Sequence, residues 1–331
     1  MRTMLKAILI LLMLTVAAPV AMAGNFPEKP ISVIVPWKPG GGTDILARAV
    51  CPVWEKYLGV SMRIVNKPGG NNIVGYSAMF AAPHDGYTIV LGQAPNYNIN
   101  VLFQDAPYKI GDMAYLNLFQ RDDLIFYANK EAPWNNLAEL VADARKRPGE
   151  IQMGAAALKG MDPVYVGEFE ARAGIKFGKI VPMGGGGPLK REVIGGHMPL
   201  AVHGCWVSRS AAPLAKGLGV RRMEPSPIWP EAQIFNEVLP EGKKYTSEEI
   251  NLLPTFIKGF AVPADVKTKY PERFAKLVSS FEAMMKGSDF KEMLAKQQLE
   301  TAFSYYPPEK TQAVVNAFTE LLKKNSHFYQ N

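Results

Sequence analysis

The residues with the clearest chemistry are glycines. In "VIVPWKPGGGTDILAR", Val33 to Arg48, an apolar run ends at Pro36-Trp37-Lys38-Pro39, and Gly40-Gly41-Gly42 and Thr43-Asp44 follow. An apolar pattern with helical spacing comes next. A strand, a glycine turn and a helix start in that order make an anion site. The first turn of a helix has backbone N–H groups without partners and carries partial positive charge. Glycine lets a ligand oxygen come close to those amides, so carboxylate or phosphate can be held without a charged side chain. Thr43 is placed as the N-cap, with Asp44 in the first turn, where the helix dipole favours it.

A second stretch repeats the theme. "AAALKGMDPVYVG", Ala155 to Gly167, reads as a strand end, a loop and a helix start. Asp162 is expected as N-cap and Pro163 as the first helical residue, with Lys159 in the loop. A third glycine run, Gly184 to Gly187, follows another apolar segment. Two helix starts facing one cleft would grip a molecule with two anionic ends.

Nucleotide chemistry is disfavoured. A P-loop needs GxxxxGKS/T, but Thr-Asp follows the glycines here. The GxGxxG fingerprint fails because Leu46 stands at its last glycine. An exported hydrolase would need a nucleophile beside a base. GxSxG does not occur, and Cys205 and Ser208 near His203 form no recognised arrangement. No cysteine–histidine spacing suggests a metal, and no cofactor is expected.

Alternating strands and amphipathic helices must position these turns. Strands are predicted at Ile31–Val35, Met62–Val65 and Tyr87–Leu91, with helices at Asp44–Leu58 and Ile73–Ala81 between them. Pro52 is expected to kink the first helix. A second unit of similar order runs through strands Leu124–Ala128, Ile151–Ala155, Ile180–Pro182 and Pro199–Val202. Its helices are Leu137–Arg147, Pro163–Ala173 and Leu189–Ile194. Pro225 to Lys244 reads as loop. A strand at Phe260–Val262 and helical patterns at Val266–Lys286, Asp289–Gln298 and Glu309–Lys323 close the chain. This order argues for two doubly wound α/β lobes around a cleft. Residues 24–123 and 257–331 form one domain and 124–256 the other, with crossings near Asp122–Leu124 and Pro254–Lys258.

The chain has 331 residues, 48% hydrophobic and 20% charged, with net charge +7. That is ordinary globular composition. The basic residues are dispersed, which argues against nucleic acid and suits an anionic ligand weakly. Arg2 and Lys6, the apolar Leu5–Val16 and the Ala21-Met22-Ala23 site read as a signal peptide, residues 1–23, cut near Ala23. Cys51 and Cys205 fall in different domains, so no bridge is expected.

Three blocks resemble the receptors of the tripartite tricarboxylate transporters, also called Bug receptors: "FPEKPISVIVPWKPGGGTDILAR", "VNKPGGNNIVGYSAMFAAPHDGYTIVLG" and "VPMGGGGPLKREVIGGHMPLAV". The second block is the most specific. The resemblance implies a two-lobed periplasmic-binding-protein (Venus flytrap, type II-like) architecture and a monomer in the periplasm. It also implies a small organic anion, usually a carboxylate, delivered to a permease with one large and one small subunit. Presentation of the ligand to a sensor kinase is an alternative.

Carried over, the first binding loop is Trp37, Lys38, Gly40, Gly41, Gly42, Thr43 and Asp44. The second contains Ala156, Ala157, Lys159, Gly160 and Asp162. Gly184, Gly185, Gln93, Asn96 and His203 would line the cleft. Lys38 adds a charge where small residues are common, and Asp162 stands where serine is common, with Lys159 as its expected partner. Trp37, Tyr97 and Trp206 form either an aromatic wall or ordinary packing.

Overall fold

The computed structural model describes residues 25–252 and 256–329. The signal-peptide assignment lies outside those residues. The chain builds two mixed sheets, each covered by helices. The first sheet takes β1 (Ile31–Val35), β2 (Met62–Asn66), β3 (Thr88–Gln93), β4 (Met113–Tyr115), β5 (Leu118–Asp122), β12 (Phe256–Pro263) and β13 (Phe303–Tyr306). Their order is β13-β5-β12-β3-β1-β2, with β4 also on β12. The second holds β6 (Leu124–Asn129), β7 (Met153–Ala155), β8 (Ile180–Pro182), β9 (Leu200–Gly204), β10 (Ala215–Val220) and β11 (Gln233–Ile234), in the order β11-β10-β6-β9-β7-β8.

β1 pairs in parallel with β2 and β3, as a doubly wound unit requires. The sheet then departs from that expectation, because β12 enters antiparallel between β3 and β5. The second sheet repeats the pattern: β7 is parallel to β8 and β9, while β6 runs antiparallel to β9 and β10. In each lobe the strand that arrives from the other, β12 or β6, is therefore inserted between strands of the receiving sheet.

The chain passes from the first sheet to the second at Asp122–Leu124, between β5 and β6. It returns after α7 (Ser247–Leu252), across 253–255, which lie outside the described residues.

Apolar spacing explains the helices. α1 (Gly42–Leu58) buries Leu46, Val50, Val53 and Trp54 on one face and runs unbroken through the exposed Pro52. The Trp54 indole N–H donates to Ser280 Oγ at 2.9 Å, which ties α1 to α9 (Pro271–Lys286). The remaining helices are α2 (Ile73–Phe80), α3 (Ala94–Phe103), α4 (Leu137–Lys146), α5 (Asp162–Ala173), α6 (Gly186–Ile194), α8 (Val266–Lys269), α10 (Ser288–Lys296) and α11 (Pro308–Lys324). The expected single helix Val266–Lys286 is two, because Pro271 lacks the N–H that would continue the first and starts the second. Cys51 and Cys205 are free and buried, and burial raises both thiol pKa values.

Candidate functional site

A cavity of about 650 Å³ lies between the sheets, within the range of small-molecule sites. The starts of five helices reach it. Gly40–Thr43 open α1, Asn72 precedes α2, Gln93 and Asn96 open α3, Gly160 and Asp162 open α5, and Gly184–Gly187 open α6. None of the five cap residues, Gly41, Asn72, Gln93, Met161 and Gly185, caps its helix through a side-chain hydrogen bond. First-turn amides of α1, α3, α5 and α6 are thus left for a guest, while the Ile73 and Val74 amides of α2 donate to the Gly70 and Gly69 carbonyls. The positive ends of the five helix dipoles converge on one space.

The first turn is held from below. The Gly40 amide donates to Asp44 Oδ2 at 2.9 Å. Asn66 Nδ2 donates to Asp44 Oδ1 and to the Trp37 carbonyl, both at 3.0 Å. Gly40 has φ +76°, a conformation that glycine adopts without strain. Burial would raise the Asp44 pKa, but the bonds from Arg48, Gly40 and Asn66 outweigh it and hold the carboxyl below its usual range. Asp44 is therefore a brace beneath the loop and does not line the cavity.

Trp37, Lys38, Gly40, Gly41, Gly42, Thr43, Gln93, Asn96, Ala156, Ala157, Gly160, Asp162, Gly184, Gly185 and His203 all line the cavity. Lys159 does not: its side chain is exposed, and its carbonyl accepts from Asn71 Nδ2 at 2.6 Å.

Three further expectations are corrected. Thr43 is not the N-cap; Gly41 is, and Thr43 Oγ1 accepts from Gln93 Nε2 at 3.4 Å. Asp162 is not a cap either. Met161 takes that place, and the Asp162 carboxylate lies 3.6 Å from His203 Nδ1, so its neighbour is histidine and not Lys159. The aromatic wall reduces to Trp37. Tyr97 is buried, stacked on Tyr108 at 4.9 Å with its hydroxyl donating to the Lys109 carbonyl, and the Trp206 indole donates to the Gln297 carbonyl.

Lys190, Arg191, Phe256 and Lys258 also line the cavity, and sequence reasoning missed them. Lys258 is 1% exposed, the one charged residue in the wholly buried β12. That oddity, a lysine inside an apolar strand, is the signal that could have found it. Its ammonium donates to Gln120 and faces Asp122. Burial pulls its pKa down to about 8, against the pull of Asp122. Asp122 receives the Trp206 amide at 2.8 Å and the Val207 amide at 3.2 Å. Burial still holds its carboxyl above the usual range, despite Lys258 and those amides.

Two α/β lobes around an amide-lined cleft define a solute-binding receptor fold. The chain matches the tripartite tricarboxylate transporter family receptor over residues 46–326, and it belongs to that family. It is 30% identical to BugT of Bordetella pertussis over 184 residues, 55% of this chain and 56% of that protein, so the match spans about half of that relative. The fold is shared with R. palustris Rpa4515, solved with adipate: TM-score 0.78, 21% identity, covering 92% of this chain and 98% of that one. It is shared too with MatC from Rhodopseudomonas palustris with bound malate: TM-score 0.72, 18% identity, covering 92% and 100%.

Proposed function

We propose that the protein captures a small carboxylate between its two lobes in the periplasm and delivers it to a membrane permease. The observation that carries this reading is the convergence of five helix starts, none capped by a side chain, on one cavity. Lys38, Lys190, Arg191 and Lys258 add positive charge around it, against Asp162 alone among the acids of its lining. Adipate and malate in the two R. palustris proteins support a carboxylate. The family is one of transporter receptors, which supports binding without turnover. Closure turns on the crossing at Asp122–Leu124 and on the return between α7 and β12, with 24–123 and 257–331 as one lobe and 124–256 as the other.

A thermal-shift screen with mono-, di-, tricarboxylic and aromatic acids tests this. At a hundred times Kd a ligand adds about 2.7 kcal/mol, roughly 4 °C in a chain of this size. One class of acid should give that shift at one site per chain and be recovered unchanged. Indifference to every acid, or conversion of the acid, would contradict the reading.

A further inference from the structure

The second mouth of the cleft is not built like the first. Where the first presents glycine amides, the second presents the carboxylate of Asp162. Asp162 is 3% exposed and lines the cavity, and its Oδ1 has no hydrogen-bond partner. Its other oxygen is 3.6 Å from His203 Nδ1, beyond hydrogen-bond length. His203 is fixed on its far side. A Cβ at Gly186 would stand 2.6 Å from its Nε2, and Phe256 packs against the ring at 5.5 Å. The Tyr127 hydroxyl, close enough for the charge of Asp162 to raise its pKa after burial, makes no hydrogen bond. Asn96, also lining the cavity and 7% exposed, has an unpartnered Oδ1 as well.

A buried acceptor without a donor is costly, and a buried carboxylate whose nearest basic group is an imidazole beyond hydrogen-bond length more so. A second carboxylate on the guest would add like-charge repulsion at this point. A hydroxyl would satisfy Oδ1 and leave the charge unmatched. An ammonium does both.

Resting on the carboxylate-receptor reading above, we infer that the guest is an amino-carboxylate, its carboxylate on the glycine turns and its ammonium on Asp162. A charge-assisted hydrogen bond to a buried carboxylate is of the strong kind. Its loss should cost roughly tenfold or more in affinity.

Calorimetric titration of the full mature chain decides this with chain-length-matched sets: dicarboxylates, hydroxy acids, and α- and ω-amino acids of four to six carbons. The best amino acid should bind at least about tenfold more tightly than its dicarboxylate and hydroxy-acid counterparts. Asp162→Asn should remove that advantage and leave the dicarboxylate unchanged or tighter. A wild-type preference for dicarboxylates or hydroxy acids would overturn the inference while leaving the carboxylate reading intact, and it needs no variant to fold. An amino-acid preference that persists in Asp162→Asn would overturn the role of Asp162. Silence from all the sets would overturn the carboxylate reading and this inference with it.

Discussion

Asp44 and Lys258 act on the cleft in opposite ways. Asp44 gives the first loop its shape: its carboxylate receives the Gly40 amide and the Asn66 side chain in a nearly inaccessible place. Asp44→Ala orphans the Gly40 amide and leaves Asn66 only the Trp37 carbonyl, which should cost about 1–3 kcal/mol of stability and about tenfold in affinity, since the amides of Gly42 and Thr43 lose their alignment. Arg48 is largely exposed, so its ion pair adds little to this. Denaturant melts and titrations of the acid check it; wild-type affinity in Asp44→Ala would refute the brace. Lys258 supplies charge instead. Its pKa in the fold, about 8, lies below the ordinary 10.5, so between those values the unfolded chain binds more protons. Its contribution to stability therefore rises with pH across that window. Affinity for an anion should fall as pH climbs through about 8, because the ammonium is lost. Relative to Lys258→Met, the empty wild-type protein should gain stability over this range while its affinity declines. Parallel slopes in the two proteins would contradict the placement of that charge. The first-turn position of Asp44 was legible from the glycine-Thr-Asp pattern. The burial of Lys258 shows in the sequence only as a lysine inside an apolar strand, since it arises when β12 inserts between β3 and β5.

At the scale of elements, period and punctuation in the sequence found the helices that carry apolar stripes and the turns before them. They missed α3, whose Pro95 and three asparagines give it a polar look. Asn98 and Asn100 are fully buried there, with Asn98 Nδ2 donating to the Val315 carbonyl and Thr319 and Asn100 Nδ2 donating to the Tyr108 hydroxyl, which no local pattern foretells. The Asn66-Lys67-Pro68-Gly69 block was legible as a turn, but its asparagine's task of holding the neighbouring loop was not. The helix starts were also misread by a residue or two, because threonine and aspartate prefer caps in general, while here Gly41 and Met161 hold the caps without a side-chain bond. Gly42 shows why size matters at these starts. A Cβ there would stand 2.5 Å from Val207 Cγ1, which belongs to the facing lobe. Gly42→Ala suits the helix locally, so the melting temperature of the empty protein should move little. Lobe approach should suffer, with affinity falling roughly tenfold, about 1.4 kcal/mol. Titration beside a thermal melt separates the two, and unchanged affinity would show that this contact is not needed for binding.

As a whole the molecule is two similar lobes joined at their sheets and cross-tied around one cavity. Asn71 reaches the Lys159 carbonyl, Trp206 reaches the Gln297 carbonyl, and the Tyr329 hydroxyl donates to the Gly160 carbonyl at 2.7 Å. That last bond brings the end of the chain, beyond α11, to the loop that opens α5. The two-lobed plan was readable from repeated strand–helix order. The antiparallel return strands were not, because parallel and antiparallel strands carry the same apolar signal once both faces are buried. The most direct measurement is a crystal structure of the protein with its best-binding acid. A carboxylate oxygen should lie within about 3 Å of the amides of Gly42 and Thr43, with the guest enclosed by both lobes. A guest held away from those amides, or bound outside the cleft, would contradict the central claim.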